Sequence, residues 1–389
     1  MSSPTAGPTA YLDNNATTPV AEVVLAAMLP WFREEPGNPS SLHASGERAN
    51  AALAAARAKV ARLFGAARPT EVTFTSGATE ATNLAVHAVL QASERRRVVT
   101  SAVEHPATSE CLEALDLDLV TVGVDATGGL LLDEALAAID ERTALCTLIL
   151  VNNETGRLLE PEALAALAAR CHEVGALLHL DAVQAAGKLP LELAAWGVDL
   201  ASLSAHKLHG PKGVGALWVR EGCLNEIAPL QRGGPQERGR RAGTENLPGI
   251  VGFGAAAELA SGRCEDPSEL GSLRDRLEAG ILAAVPDAVV AAAGAPRVAG
   301  TSCIEFHGID GEAALLMLSH LGVEVSTGSA CGSSHHAPSH VLLAMGRSEA
   351  EAASSLRISL SHETSEEEVG HCVATLPGVI TALRSLAPR

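Results

Sequence analysis

"EVTFTSGATEATNLAVHAVLQ" (71–91) changes character twice within twenty-one residues. The run 71–75 has the β-branched and aromatic composition of a strand, and 78–91 has the apolar spacing of a helix. Between them sit small residues. A strand that turns into a helix through small residues leaves free backbone N–H groups at the positive end of the helix dipole. That junction suits an anion, with the Ser76 and Thr79 hydroxyls as further donors. Taken alone it serves equally well as a plain helix cap. It is not a Walker loop, because no GxxxxGK[ST] occurs.

The same unit repeats outward. Strand patterns fall at 96–101, 119–124, 144–151, 176–181, 199–204 and 215–220, with a helical pattern at 162–175. Several of these runs are nearly all apolar, as in strands covered on both faces. Alternating strand and helix over some 150 residues predicts an α/β architecture with a mostly parallel sheet. From about 240 helices dominate, at 247–261 and 268–284. Shorter strands follow at 301–306, 323–326 and 356–361, which reads as a smaller α+β unit.

Composition narrows the function. A net charge of -18 excludes a general binder of nucleic acid or of anionic membrane surfaces, which need clustered Lys and Arg. The N-terminus lacks a basic segment followed by an apolar run, and no bilayer-length apolar run is read. The eight cysteines are scattered without a CxxC, which predicts free thiols in a reducing, cytoplasmic setting and no structural metal. The only lysines are Lys59, Lys188, Lys207 and Lys212, so any lysine chemistry has four candidates.

In open α/β sheets ligands sit beyond the carboxyl ends of the strands. Here those ends are followed by Ser76-Gly77-Ala78-Thr79, by Glu104-His105, by Asn152-Asn153-Glu154, by Asp181 with Gln184, and by His206-Lys207. Singly, Asp181 is a turn cap, Lys207 a solvated lysine, and His206 and His209 satisfied imidazoles. Together they are the parts of a pyridoxal phosphate site: a helix N-terminus for the phosphate, an acid for the ring nitrogen and an amine for the aldehyde. His105 could stack on the ring.

Two further stretches carry chemistry. In "STGSACGSSHHAPSH" (326–340), Cys331 lies in a Ser/Gly-rich segment without apolar periodicity. That suits an exposed nucleophilic thiol, or an incidental loop cysteine. The other seven cysteines read as small buried hydrophobes. "QRGGPQERGRRAGTEN" (231–246) clusters Arg232, Arg238, Arg240 and Arg241, as an anion-contacting or subunit-bridging loop, or a solvated turn.

These stretches, with "YLDNNATTPV" (11–20), "GNPSSLHASGERA" (37–49), "VEHPA" (103–107), "VNNETG" (151–156), "HLDAVQAAGK" (179–188) and "SLSAHKLHGPKGVGAL" (202–217), follow a known order along nearly the whole chain. The sequence resembles the cysteine desulfurases, class V members of the fold type I pyridoxal phosphate enzymes. The resemblance implies a large cofactor domain with a mostly parallel seven-stranded sheet over 16–255. A small α+β domain then comprises 1–15 and 256–389 and carries the cysteine loop. Lys207 resembles the Schiff-base lysine, Asp181 the partner of the ring nitrogen and Gln184 the contact to the ring hydroxyl oxygen. His105 resembles the stacking histidine. Ala78, Thr79, Ser204 and His206 resemble phosphate ligands, joined by Thr244 from the other subunit of an obligatory homodimer. Asn153 and Arg357, with Asn15, resemble the groups that hold the cofactor and the substrate carboxylate.

Cys331 resembles the nucleophile that takes sulfur from L-cysteine as a persulfide, for a sulfur-acceptor protein such as an iron–sulfur scaffold. The loop departs from the family in carrying His335, His336 and His340, which read as drift or as groups tuning the Cys331 thiolate. Same-fold alternatives are a selenocysteine lyase or an aminotransferase. A non-catalytic scaffold of the same pathway would dispense with the intact Lys207, Asp181, His105 and Cys331.

Overall fold

The structure is a computed structural model that describes residues 9–264, 266–328 and 338–386. Its strands, in chain order, are β1 (Ala10–Tyr11), β2 (Val72–Thr75), β3 (Arg97–Ser101), β4 (Asp118–Val122), β5 (Thr143–Ile149) and β6 (Leu177–Asp181). They continue with β7 (Leu200–Ser204), β8 (Gly215–Val219), β9 (Val289–Val290), β10 (Thr301–Glu305), β11 (Val323–Glu324) and β12 (Ser355–Ser359). The large sheet has seven strands in the order β2-β8-β7-β6-β5-β3-β4. β8 pairs antiparallel with both β2 and β7, and the other pairings are parallel. Six strands therefore point one way and β8 alone returns.

Both faces of this sheet are covered, which is why its strands read as unbroken apolar runs. On one face the helix Ala78–Ala92 sets Ala81, Leu84 and Ala88 against Leu145, Leu200 and Leu217. On the other, the helices Ala44–Leu63 and Leu247–Arg263 cover Ala201, Ala216 and Trp218. Ala216 and Trp218 face one core and Leu217 the other, the period of two that a strand imposes. A smaller core gathers Ala10 and Leu12 with Ile304, Phe306, Ile358 and the helices Ser268–Ala284 and Glu366–Leu386. Position 255/256 falls inside the helix Leu247–Arg263, and Ala256, Ala257 and Ala260 of that helix pack in the large core.

The sequence held one surprise of length. The helix Glu366–Leu386 is long and apolar enough to cross a bilayer, contrary to the expectation that no such run exists. Its Val369, Cys372, Leu376, Val379 and Ile380 are buried in the small core, so one face serves protein packing. The helix Glu22–Arg33 and the Ala-rich helix Ala44–Leu63 were not anticipated either. Among the described residues Cys111, Cys146, Cys171, Cys223, Cys303 and Cys372 are free thiols, four buried and two half-buried.

The Arg-rich loop 231–246 is fixed by a buried ion pair. Arg57 makes two parallel bonds to Glu237, each 2.6 Å, and Glu237 also accepts from Phe74 N at 2.9 Å. This pair holds Glu237 and Arg238 at φ 47° and 60°, left-handed values unusual outside glycine. Arg57→Met would leave the Glu237 carboxylate buried without its cation. We expect a loss of about 3–5 kcal/mol in the unfolding free energy from chemical denaturation. An unchanged denaturation midpoint would show that the pair contributes no stability.

Candidate functional site

The carboxyl ends of β2, β3, β5, β6 and β7 open on one cavity of about 460 Å³. β8, running back, begins at the same edge and brings the turn with Lys212 and Gly213 to it. The close approach of two chain segments sets the geometry at β2. A Cβ on Gly215 would stand 2.6 Å from the backbone carbon of Gly77, so only glycine lets this turn lie across β8.

At one part of the wall the helix Ala78–Ala92 starts from Gly77, which offers no side-chain cap. Its first backbone donors are thus left for the cavity, and Ser204, His206 and Lys212 line the wall beside them. His206 Nδ1 lies 3.2 Å from Thr17 Oγ1. Burial, with Lys207 and Lys212 nearby, pulls His206 down to about 4, so it is a neutral donor or acceptor at neutral pH. Arg241 pairs with Glu80 at 3.0 Å and Glu80 accepts from Ser76 N at 2.8 Å, tying the Arg-rich loop to this helix start.

Asp181 closes β6. Oδ1 accepts from Val183 N at 3.0 Å, and the carboxylate is 5 % exposed, towards the cavity. Burial raises it to about 6 against the Val183 N–H and Lys207. Lys207 leaves β7 on a tight turn and donates to the carbonyls of Asn15 and Ala16 at 2.6 and 2.7 Å. His105 caps the helix Pro106–Glu113, and its Nδ1 accepts from Ala107 N at 3.0 Å. A neutral ring that accepts at Nδ1 carries its proton on Nε2. Burial, then Lys207, His340 and Arg357, lower His105 to about 4, so it stays neutral and is a donor at Nε2.

On the opposite wall Arg357, from β12, pairs with Asp13 at 2.7 Å and reaches the Asn153 carbonyl at 3.4 Å. Among the described residues its buried Nε has no partner. Asn15 lines the cavity too, but its amide Nδ2 already donates to Asn153 O and Thr301 Oγ1, so its side chain knits the wall together. Thr244 is exposed and stands outside this cavity. Cys331, His335 and His336 lie outside the described residues.

These residues fit pyridoxal 5'-phosphate by their chemistry. An under-coordinated buried carboxylate needs a cation such as a protonated ring nitrogen. An open helix start with two polar side chains needs an anion. An amine stands between them in the sequence of strand ends.

Two acids that the sequence left without a role, Glu104 and Glu154, also belong here, with His340, which in the sequence reads as drift or as tuning the Cys331 thiolate. Glu104 is 1 % exposed; Oε1 accepts from Ser101 Oγ and Ile149 N, and Oε2 has no partner among the described residues. Glu154 accepts from Ser339 Oγ at 2.5 Å, and a Cβ on Gly328 would stand 2.1 Å from its Oε2, so one buried carboxyl meets both flanks of the stretch 329–337. His340 Nε2 lies 2.9 Å from the Glu104 carbonyl, which makes Nε2 its protonated nitrogen. Burial depends on tertiary packing, and the sequence offered no signal for the two acids beyond their place after strand ends.

Burial pushes Glu104 up to about 8, with Asp181 repelling its charge, against the Ser101 and Ile149 donors. Between the ordinary value of 4.5 and about 8 the folded chain keeps a proton that the unfolded chain has released. This contribution to stability is full at low pH and is lost as pH rises through that window. In Glu104→Gln the loss between about pH 5 and about pH 8 should shrink by on the order of 3 kcal/mol. An identical pH slope in both chains would show that Glu104 ionises normally.

The class-V aminotransferase family matches residues 10–371. A cysteine desulfurase of Cereibacter sphaeroides is 48% identical over 383 residues, covering 97% of each chain. The cysteine desulfurase NifS of Azotobacter vinelandii is 44% identical over 97% of this chain and 94% of its own. Among solved structures, a NifS-like protein superposes with a TM-score of 0.88 at 37% identity, over 96% of this chain and 100% of its own. SspA in complex with cysteine gives 0.79 at 35% identity, over 90% and 99%.

Proposed function

The chain belongs to the class-V aminotransferase family, and from that membership we propose that it is a pyridoxal 5'-phosphate-dependent cysteine desulfurase. The observation that carries the proposal is the grouping of Asp181, Lys207 and the uncapped helix start around one cavity. Asp181 would hold the ring nitrogen, Gln184 the ring hydroxyl oxygen and His105 the ring face. Ala78, Thr79, Ser204 and His206 would hold the phosphate, and Lys207 the aldehyde carbon. Bound there, the cofactor supplies an electron sink that acidifies the α-carbon of an amino acid.

The chain's own groups do the rest. Arg357, which lines the cavity, takes the substrate carboxylate, and Asn153 flanks it. The Lys207 amine takes the α-proton and can return it to carbon. His105 Nε2–H donates a hydrogen bond at the departing side and stays uncharged. Cys331, as thiolate, attacks the substrate sulfur. The Cβ–Sγ bond of L-cysteine breaks, its sulfur joins Cys331 as a persulfide, and the carbon skeleton leaves with a proton on Cβ as L-alanine. The persulfide then passes to an acceptor protein for iron–sulfur cluster or thio-cofactor assembly.

The working unit in this reading is a cytoplasmic homodimer. It gives Thr244, which stands outside its own cavity, a phosphate in the second copy's cavity. Exposed Val23, Phe32 and Leu42 supply apolar surface for such a contact.

The test is turnover of L-cysteine by reconstituted protein, with alanine and protein-bound sulfane sulfur measured together. Wild type should yield both. Cys331→Ala should retain the cofactor and lose at least about 100-fold in alanine formation, about 3 kcal/mol of activation free energy. Undiminished turnover in Cys331→Ala would refute the persulfide role.

A further inference from the structure

Lys188 stands four residues after Gln184, on the turn that leaves β6, and no role has been given to it above. Its Nζ donates to Gln184 Oε1 and to Asn15 Oδ1, each at 2.5 Å. An ammonium group has donors only, so the amide atoms facing it must be oxygens. This fixes two amides whose oxygen and nitrogen would otherwise be interchangeable. The nitrogen of Gln184 must turn the other way, where it donates to the Asn15 carbonyl at 2.9 Å and edges the cavity. The same Asn15 carbonyl receives Lys207 Nζ. Lys188 thus bonds to the two residues whose amide and carbonyl flank the reactive amine, while remaining behind the cavity wall itself.

The charge around Lys188 is lopsided. Its two bonded partners are neutral amides. The cations facing it are Lys207 and Arg357. A small cavity beside it is lined by Lys207, His209, Arg263 and His362 and, among the described residues, by no carboxylate. Arg263 and His209 both pair with Glu363. Burial first, then Lys207 and Arg357, pull Lys188 down to about 7. Any loss of positive charge at Lys207 would remove one of those repulsions and favour the Lys188 ammonium.

We propose that Lys188 is a positioning residue that fixes Gln184 as a hydrogen-bond donor towards the cofactor oxygen and places a positive charge behind it. The proposal rests on the cofactor reading above. A donor and a cation beside that oxygen favour its deprotonated form, which lowers the pH at which the visible absorption band of the loaded protein changes. They also strengthen retention of the cofactor. A residue that merely filled space would change neither.

The experiment loads wild type, Lys188→Met and Lys188→Arg with pyridoxal 5'-phosphate, titrates the band with pH and measures cofactor loss by dialysis. Removing charge and donor in Lys188→Met should raise the spectral midpoint by about one unit and weaken retention about tenfold. Lys188→Arg, with donors and charge kept, should recover most of the shift. Should Lys188→Met fail to fold, Lys188→Gln removes the charge within a polar side chain and should move the midpoint in the same direction. Neutral variants that titrate at the wild-type midpoint and hold cofactor as wild type does would overturn the role. A wild-type protein that develops no band would overturn the cofactor reading itself, and the proposal with it.

Discussion

A carboxylate taken out of water must find a cation, and Asp181 is held at the end of a central strand with one backbone donor and 5 % of its surface open. Burying an unpaired charge costs several kcal/mol. Lys207 offsets part of that cost, and in the proposed reading a cationic ring in the space Asp181 faces would offset more. The sheet order puts β7, with Lys207, on one side of β6 and β5, with Asn153, on the other. The antiparallel β8 separates β7 from β2, so the helix that begins at Ala78 reaches the same edge from one strand further away.

Around that acid the site keeps other charges down. His105 and His206 are neutral at ordinary pH because burial and nearby cations both oppose protonation. Glu104 holds its proton for the complementary reason. The charged groups lining the cavity are then Asp181, Lys207, Lys212 and Arg357 with its Asp13 partner, with Lys188 behind the wall. A mostly neutral wall lets a few charges act strongly, since no dense field of counter-charges screens them. Backbone groups also orient the rings: Ala107 N–H leaves the His105 proton on Nε2, and the Glu104 carbonyl faces a protonated Nε2 of His340.

The large sheet was legible because its strands are buried on both faces and therefore read as apolar runs. The expected 71–75, 199–204 and 215–220 appear as Val72–Thr75, Leu200–Ser204 and Gly215–Val219. The gathering of the polar strand ends at one cavity was legible from the parallel topology. What escaped were features created by packing. Glu104 and Glu154 look like ordinary acids until the chain encloses them. Gln184 and Lys188 do carry a signal in their spacing of four, which places two side chains together on a helical turn. The membrane-length helix Glu366–Leu386 was missed because acidic residues at its start mask a long apolar remainder.

Four lysines make the central claim open to a direct assignment. The protein is incubated with pyridoxal 5'-phosphate, reduced with borohydride, digested, and the added mass is located by fragmentation. The account predicts modification at Lys207 alone. Modification concentrated on Lys188, Lys212 or Lys59, or none above a Lys207→Ala control, would contradict it.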